Sequence, residues 1–105
     1  MTIRVGINGF GRIGRLALRE SWGAAGFEIV HINECAGDAA SAAHLLQFDS
    51  VHGTWDRDIT ADANDSHISI DGRSIGYSQH QSIEDTPWAA AGVQLVVECT
   101  GKLKT

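Results

Sequence analysis

An α/β fold organised around a parallel sheet is predicted for this 105-residue chain by three features. An alternating apolar run, Ile3-Arg4-Val5-Gly6-Ile7-Asn8, passes straight into Gly9-x-Gly11-x-x-Gly14 and then into helical periodicity. A β-branched run from Phe27 to Asn33 follows, with an acid, Glu34, at its end. A near-continuous apolar run from Gln94 to Cys99 has the character of a buried parallel strand. Strand, glycine turn, helix, strand and acid in that order form a dinucleotide-binding βαβ unit. The predicted architecture is a partial, Rossmann-type doubly wound parallel sheet with an inserted antiparallel β-hairpin, in one domain over residues 1–105.

The first strand is expected at Ile3 to Asn8, and the helix after it from about Gly11 to Trp22. On that helix Ile13, Leu16 and Ala17 share one stripe, with Leu18 and Trp22 beside it, and Gly23 and Gly26 end it. Phe27 to Asn33 is the second, parallel strand. From Asp38, a capping residue, a second helix uses Ala39, Ala42, Ala43, Leu45 and Leu46 as its formers and contacts. It stops before Phe48, where a loop with two aromatics runs to Trp55. A strand is expected near Arg57 to Ala61 and a polar turn at Asn64-Asp65-Ser66. Asp71-Gly72 between His67-Ile68-Ser69-Ile70 and Arg73-Ser74-Ile75-Gly76-Tyr77 is a strong hairpin signal. A short helical turn is expected around Ser82 to Asp85, and Thr86-Pro87-Trp88 reads as another helix start, with Thr86 capping.

Composition excludes several classes. Hydrophobic residues at 43% and charged ones at 20% match an ordinary globular domain rather than a disordered chain. The apolar runs are far too short for a membrane span, and the start enters a strand directly instead of a signal peptide, so a cytoplasmic protein is expected. A net charge of −5 lacks the basic footprint of nucleic-acid binding. Arg12, Arg15 and Arg19 share a helix face that reads as a solvated stripe, with Arg12 near phosphate. Cys35 and Cys99 form no CxxC and no disulfide framework, and Cys99 reads as a small buried residue. His31, His44, His52, His67 and His80 show no metal spacing and no base partner, so neither metal ligands nor catalytic residues are expected.

The chemistry sits in the glycine turn. Gly9 turns the chain off the strand, Gly11 lets backbone lie against a pyrophosphate, and Gly14 lets the helix approach the strand. The helix start offers unbonded N–H groups and the positive dipole end, so phosphate is expected over Phe10 to Ile13. An ordinary glycine-rich turn is the alternative. Glu34, 20 residues after Gly14, stands where an acid accepts bonds from ribose hydroxyls and repels a 2′-phosphate, which favours NAD over NADP. A chance acid in a surface turn is the alternative there.

Val5 to Arg15, His31-Ile32-Asn33-Glu34, Phe48-Asp49-Ser50-Val51-His52-Gly53 and Glu98-Cys99-Thr100-Gly101 resemble, in this order, the amino-terminal part of glyceraldehyde-3-phosphate dehydrogenases. The resemblance implies NAD as cofactor, held by Asn8, Gly9, Phe10, Gly11, Arg12 and Ile13 at the pyrophosphate and by Asn33 and Glu34 at the adenosine end. It further implies a backbone contact from Gln81 to adenine and a far wall at Thr100 and Gly101. Glu34 stands where the family usually has Asp, one methylene shorter. Glu34-Cys35-Ala36-Gly37-Asp38-Ala39-Ala40, His44-Leu45-Leu46 and Gly76-Tyr77-Ser78-Gln79-His80 are similar to the variety found with arsenate-resistance genes, which makes 1-arseno-3-phosphoglycerate.

The family's Ser-Cys-Thr-Thr-Asn nucleophile block does not occur in this sequence. The resemblance therefore implies a cofactor-binding portion that is inactive alone, from a parent enzyme that is a homotetramer. A non-catalytic nucleotide-binding module or a truncated gene product is the opposing class. The run from Gln94 to Cys99 is expected beside the first strand as an exposed apolar edge through which the chain self-associates.

Overall fold

The computed structural model describes residues 2–23, 26–35, 37–49, 53–62, 66–80, 86 and 88–99. Two helices and eight strands are formed among them, and six strands make one mixed sheet. The chain runs through β1 (Ile3–Asn8), α1 (Arg12–Ser21), β2 (Phe27–Asn33), α2 (Ala39–Gln47), β3 (Phe48–Asp49), β4 (Gly53–Thr54), β5 (Ile59–Ala61), β6 (His67–Ile70), β7 (Arg73–Ser78) and β8 (Leu95–Glu98). Sheet order is β5-β6-β7-β2-β1-β8, parallel from β7 to β8 and antiparallel at β5 and β6. This is the expected partial doubly wound sheet. β2 lies on one side of β1 and β8 on the other, so the strand order reverses beside β1 and leaves a crevice at the carboxyl ends.

Local chemistry explains the elements. Asp38 accepts the Ser41 backbone N–H at 2.8 Å and caps α2, a bond that also holds its carboxyl below the usual carboxylate range. Asp71 and Gly72 take φ of 51° and 85°, the left-handed pair that a two-residue hairpin needs. The core gathers Val5, Ile7, Ile29, Ile32, Ile75 and Tyr77 from the sheet, Leu18 from α1, and Ala39, Ala42, Ala43 and Leu46 from α2. Gly14 faces β1 so closely that a Cβ there would sit 2.3 Å from the Gly9 carbonyl oxygen.

Several expectations are corrected. Ile13 is 66% exposed and Leu18 fully buried, because the close approach at Gly14 turns the Gly14–Leu18 side of α1 inward. In α2, Leu46 is buried and Leu45 exposed. The span from Phe48 to Trp55 contains the antiparallel pair β3–β4 instead of a plain loop. The strand expected from Arg57 begins at Ile59, since the Arg57 guanidinium and the Asp58 N–H both bind the Asp71 carboxylate. Residues 88–92 make hydrogen-bonded turns and no helix, because Gly92 at φ +80° reverses the chain after a single turn. The turn expected at Ser82 to Asp85 lies outside the described residues, as do Asn64, Asp65 and Pro87.

Arg15 and Arg19 do not form a solvated stripe with exposed Arg12. Arg15 donates to the Phe10 carbonyl at 3.3 Å, and Arg19 donates to the Gly53 carbonyl at 3.1 Å beside the Trp55 ring. Trp55 lies edge-on to Trp22 at 6.2 Å. The Arg19 and Arg57 guanidinium groups lie over the Trp55 ring at 5.7 and 5.6 Å, and that of Arg73 over the Trp22 ring at 5.1 Å.

One irregularity decides which side chains face where. β1 and β2 slip by one residue: Val5 pairs with Ile29 but Gly6 pairs with His31, leaving Val30 as the extra residue of a bulge. Strict alternation would place His31 and Asn33 on the same face as Ile29. The bulge moves them to the opposite face, beside Trp88, whose ring lies edge-on to the His31 imidazole at 5.5 Å. His31 is 7% exposed, and burial, then the neighbouring His80 and His67, hold its pKa below the usual 6.5.

The packing sets the outcome of three substitutions. Gly14→Ala destabilises by about 1–3 kcal/mol in urea unfolding. Gly11→Ala stays within about 0.5 kcal/mol of the parent, because its φ of −79° suits any residue and no atom lies within 4 Å of the added Cβ. Because folding lowers the His31 pKa, the unfolded chain binds more protons at acid pH, and stability falls as pH drops below about 6.5. His31→Gln should flatten that dependence in thermal melts between about pH 5 and 7.

Candidate cofactor-binding site

The crevice is built from the last residues of four parallel strands and the turns that follow them. Ser78 of β7 pairs with Asn33 of β2, Asn33 with Asn8 of β1, and Asn8 with Glu98 of β8, so four polar residues stand in one row across the sheet. The row is bonded end to end. Ser78 Oγ donates to Asn33 Oδ1 at 2.7 Å, Asn33 Nδ2 to Asn8 Oδ1 at 3.0 Å, and Asn8 Nδ2 to Glu98 Oε2 at 2.8 Å. Asn33, 2% exposed, also takes the His80 N–H on its oxygen at 3.0 Å and donates to the His80 carbonyl at 2.9 Å. All four bonds an amide can make are thereby filled.

The backbone closes the same edge. Gly9 N–H donates to the Asn33 carbonyl at 2.8 Å, Cys99 N–H to the Asn8 carbonyl at 2.7 Å, and Glu34 N–H to the Ser78 carbonyl at 2.9 Å. Gly9, at φ +93°, swings the chain out of β1 towards α1. Phe10 is buried, which fixes the turn from inside, while Gly11, Arg12 and Ile13 are exposed above it. The first helical bond runs from Arg15 N–H to the Gly11 carbonyl at 2.9 Å. No side chain caps the helix start and no acid lies in its first turn. The N–H groups of this turn therefore point to a place where an anion fits.

Glu34 lies across the crevice mouth. Its Oε1 accepts the Phe10 N–H at 2.6 Å, joining the end of β2 to the glycine turn. Asn8, Gly9, Phe10, Gly11, Arg12, Ile13, Asn33 and Glu34 are thus brought to one edge, with Glu98 and Cys99 opposite. Gln81, Thr100 and Gly101 lie outside the described residues. Burial, then the charge of Glu98, pushes the Cys99 thiol above its usual pKa, which leaves it a poor nucleophile.

The site contains residues that the sequence reading did not place there: Ser78, Glu98, and His31, whose Nε2 lies 2.8 Å from Ser78 Oγ. A shared signal existed, since β1, β2, β7 and β8 each end on a polar residue. Among the described residues no group of three or more His, Cys, Asp or Glu could hold a metal ion, and no helix is long and apolar enough to cross a membrane.

The residues present fit a dinucleotide. The position a Cβ would take at Gly11 is open, the helix start is uncapped, and a carboxylate stands at the end of the second strand.

Comparison with known proteins agrees. The family model described as "Glyceraldehyde 3-phosphate dehydrogenase, NAD binding domain" matches residues 3–105. Glyceraldehyde-3-phosphate dehydrogenase 3 of Nostoc sp. is 51% identical over the whole chain. Glyceraldehyde-3-phosphate dehydrogenase 1 of Giardia intestinalis is 43% identical and the Lactococcus lactis enzyme 40% identical, again over the whole chain. The chain spans 31%, 31% and 30% of the length of these relatives. With a crevice that fits a dinucleotide and a match along nearly its entire length, this chain belongs to the glyceraldehyde-3-phosphate dehydrogenase family, as its NAD-binding domain.

Proposed function

We propose that this chain is the cofactor-binding portion of an NAD-dependent, phosphorylating dehydrogenase of glyceraldehyde 3-phosphate. The observation that carries this reading is the meeting, at one sheet edge, of an uncapped helix start over an open Gly11 with the Glu34 carboxylate. Bound NAD would supply the hydride acceptor for aldehyde oxidation in the family's enzyme. The chain's own part is to bind and orient. The turn from Phe10 to Ile13 receives the pyrophosphate through the N–H groups of Gly11, Arg12 and Ile13, with the Arg12 side chain beside it and the exposed Ile13 side chain as an apolar wall. A carboxylate has about four acceptor positions. Glu34 can therefore keep the Phe10 N–H and still take ribose hydroxyls, while its charge repels a 2′-phosphate. Gln81 supplies the adenine contact, and Thr100 and Gly101 the far wall. The nucleophile and base belong to parts of the family's enzyme that this sequence does not contain.

A finer reading, the arsenate-using variety that forms 1-arseno-3-phosphoglycerate, rests on the three sequence blocks similar to it, Glu34 to Ala40, His44 to Leu46 and Gly76 to His80. The first and third of them touch: Tyr77 Oη and Gln79 Nε2 both donate to the Gly37 carbonyl, at 2.5 and 2.9 Å.

Self-association and a tetrameric parent belong to the same proposal. Leu95 and Val97 of β8 are exposed, and with Val5, Ile7, Ala17, Ser21, Phe27 and Ile29 they line an apolar groove of about 210 Å³. Light scattering should show dimers or larger species at micromolar concentration; a monomer throughout contradicts this part.

Calorimetric titration tests the main reading. NAD should bind more tightly than NADP. Glu34→Ala should weaken NAD by about ten- to a hundredfold, the loss of a charged hydrogen-bond acceptor, and erase the preference. Gly11→Ala should weaken NAD while leaving the fold intact. Equal affinity for NAD and NADP, or no NAD binding at millimolar concentration, would contradict the assignment.

A further inference from the structure

The hydrogen-bond row can be read for direction as well as distance, because one member is fixed by the backbone. The His80 N–H can only donate and its carbonyl can only accept, so the Asn33 amide has one possible orientation, oxygen towards His80 N and nitrogen towards His80 O. Asn33 Oδ1 accepts from the Ser78 hydroxyl, whose single hydrogen is thereby used. The remaining contact of that hydroxyl, at 2.8 Å, must then be donated by His31 Nε2–H. On the other side Asn33 Nδ2 donates to Asn8, and Asn8 to Glu98. Four side chains, His31, Ser78, Asn33 and Asn8, donate in a single direction that ends on the Glu98 carboxylate.

Space for the first member is provided across the strand. His31 pairs with Gly76, and a Cβ at Gly76 would sit 2.5 Å from His31 Nδ1, so the imidazole occupies room that only glycine leaves at that position.

We propose that His31 and Ser78 are positioning residues of the cofactor site, holding Asn33 at the adenosine end through the chain His31 Nε2–H to Ser78 Oγ–H to Asn33 Oδ1. This rests on the reading of the crevice as an NAD site. Neither residue touches the cofactor. Ser78 also anchors Glu34, whose N–H is bonded to the Ser78 carbonyl. A hydroxyl without its imidazole donor is held by its bond to Asn33 alone, and an Asn33 oxygen without the hydroxyl keeps only the His80 N–H. Either loss loosens the turn from Asn33 to Glu34 without removing a cofactor contact.

The test is NAD affinity by calorimetry in the purified protein and in His31→Ala, Ser78→Ala, the double variant, His31→Gln and Ser78→Thr, with thermal melts to identify folded variants. His31→Ala and Ser78→Ala should each raise the NAD Kd about three- to tenfold, and the double variant by no more than the larger single effect. A shared route predicts that non-additivity. His31→Gln, which keeps an N–H donor, and Ser78→Thr, which keeps the hydroxyl, should restore most of the affinity. A merely structural role predicts affinity losses that track the melting temperature and multiply in the double variant. Unchanged Kd in either folded alanine variant, or multiplied losses, overturns the proposal. Should an alanine variant not fold, failure of the folded Gln or Thr variant to bind like the parent overturns it equally. Parent protein that does not bind NAD refutes the NAD reading itself, and the proposal with it.

Discussion

The row Ser78–Asn33–Asn8–Glu98 is the constraint on which the crevice depends. Each of the four residues is the last of its strand, and register sets them side by side. Polar groups at buried strand ends cost free energy unless bonded, about 1–3 kcal/mol for each one left unmet. Bonding them to one another meets that demand and also fixes how far each strand advances relative to the next. Register and crevice are therefore the same fact seen from two sides. A slip of one residue in any of the four strands would leave an amide or a carboxylate facing apolar neighbours.

From this edge the glycine turn takes its position. Gly9 is bonded to the end of β2, Phe10 to Glu34, and Gly14 brings α1 down onto β1. The helix start is thereby presented over the row without a capping side chain of its own. An anion is the partner that such a start lacks.

Much of this was legible in the residues. Ile3–Asn8 and Phe27–Asn33 were readable to the residue, because alternation and β-branching agree there with the turn signals on both sides. The Asp71-Gly72 hairpin was equally plain, since few pairs adopt two left-handed conformations. The bulge at Val30 was not legible: it is a property of the pairing between β1 and β2, which neither strand states alone. It hid His31 and Asn33 on the wrong face of any period-two reading, and with them the polar row. Ile13 was misplaced for a related reason. Its apolar character suits a core stripe, but the close approach at Gly14 rotates the helix and leaves Ile13 at the crevice mouth. Arg15 and Arg19 read as solvated because a charge pattern carries no sign of the indole and carbonyl that receive them.

The carboxyl edge of the parallel strands is where the cofactor is proposed to bind. The most direct measurement is a backbone amide NMR titration of the protein with NAD. Shift changes should concentrate at Phe10 to Ile13, at Asn33 and Glu34, and at Glu98 and Cys99, with the hairpin of β6 and the far end of β1 unmoved. Changes centred instead on the apolar groove at Leu95 and Val97, or spread evenly over the sheet, would contradict it.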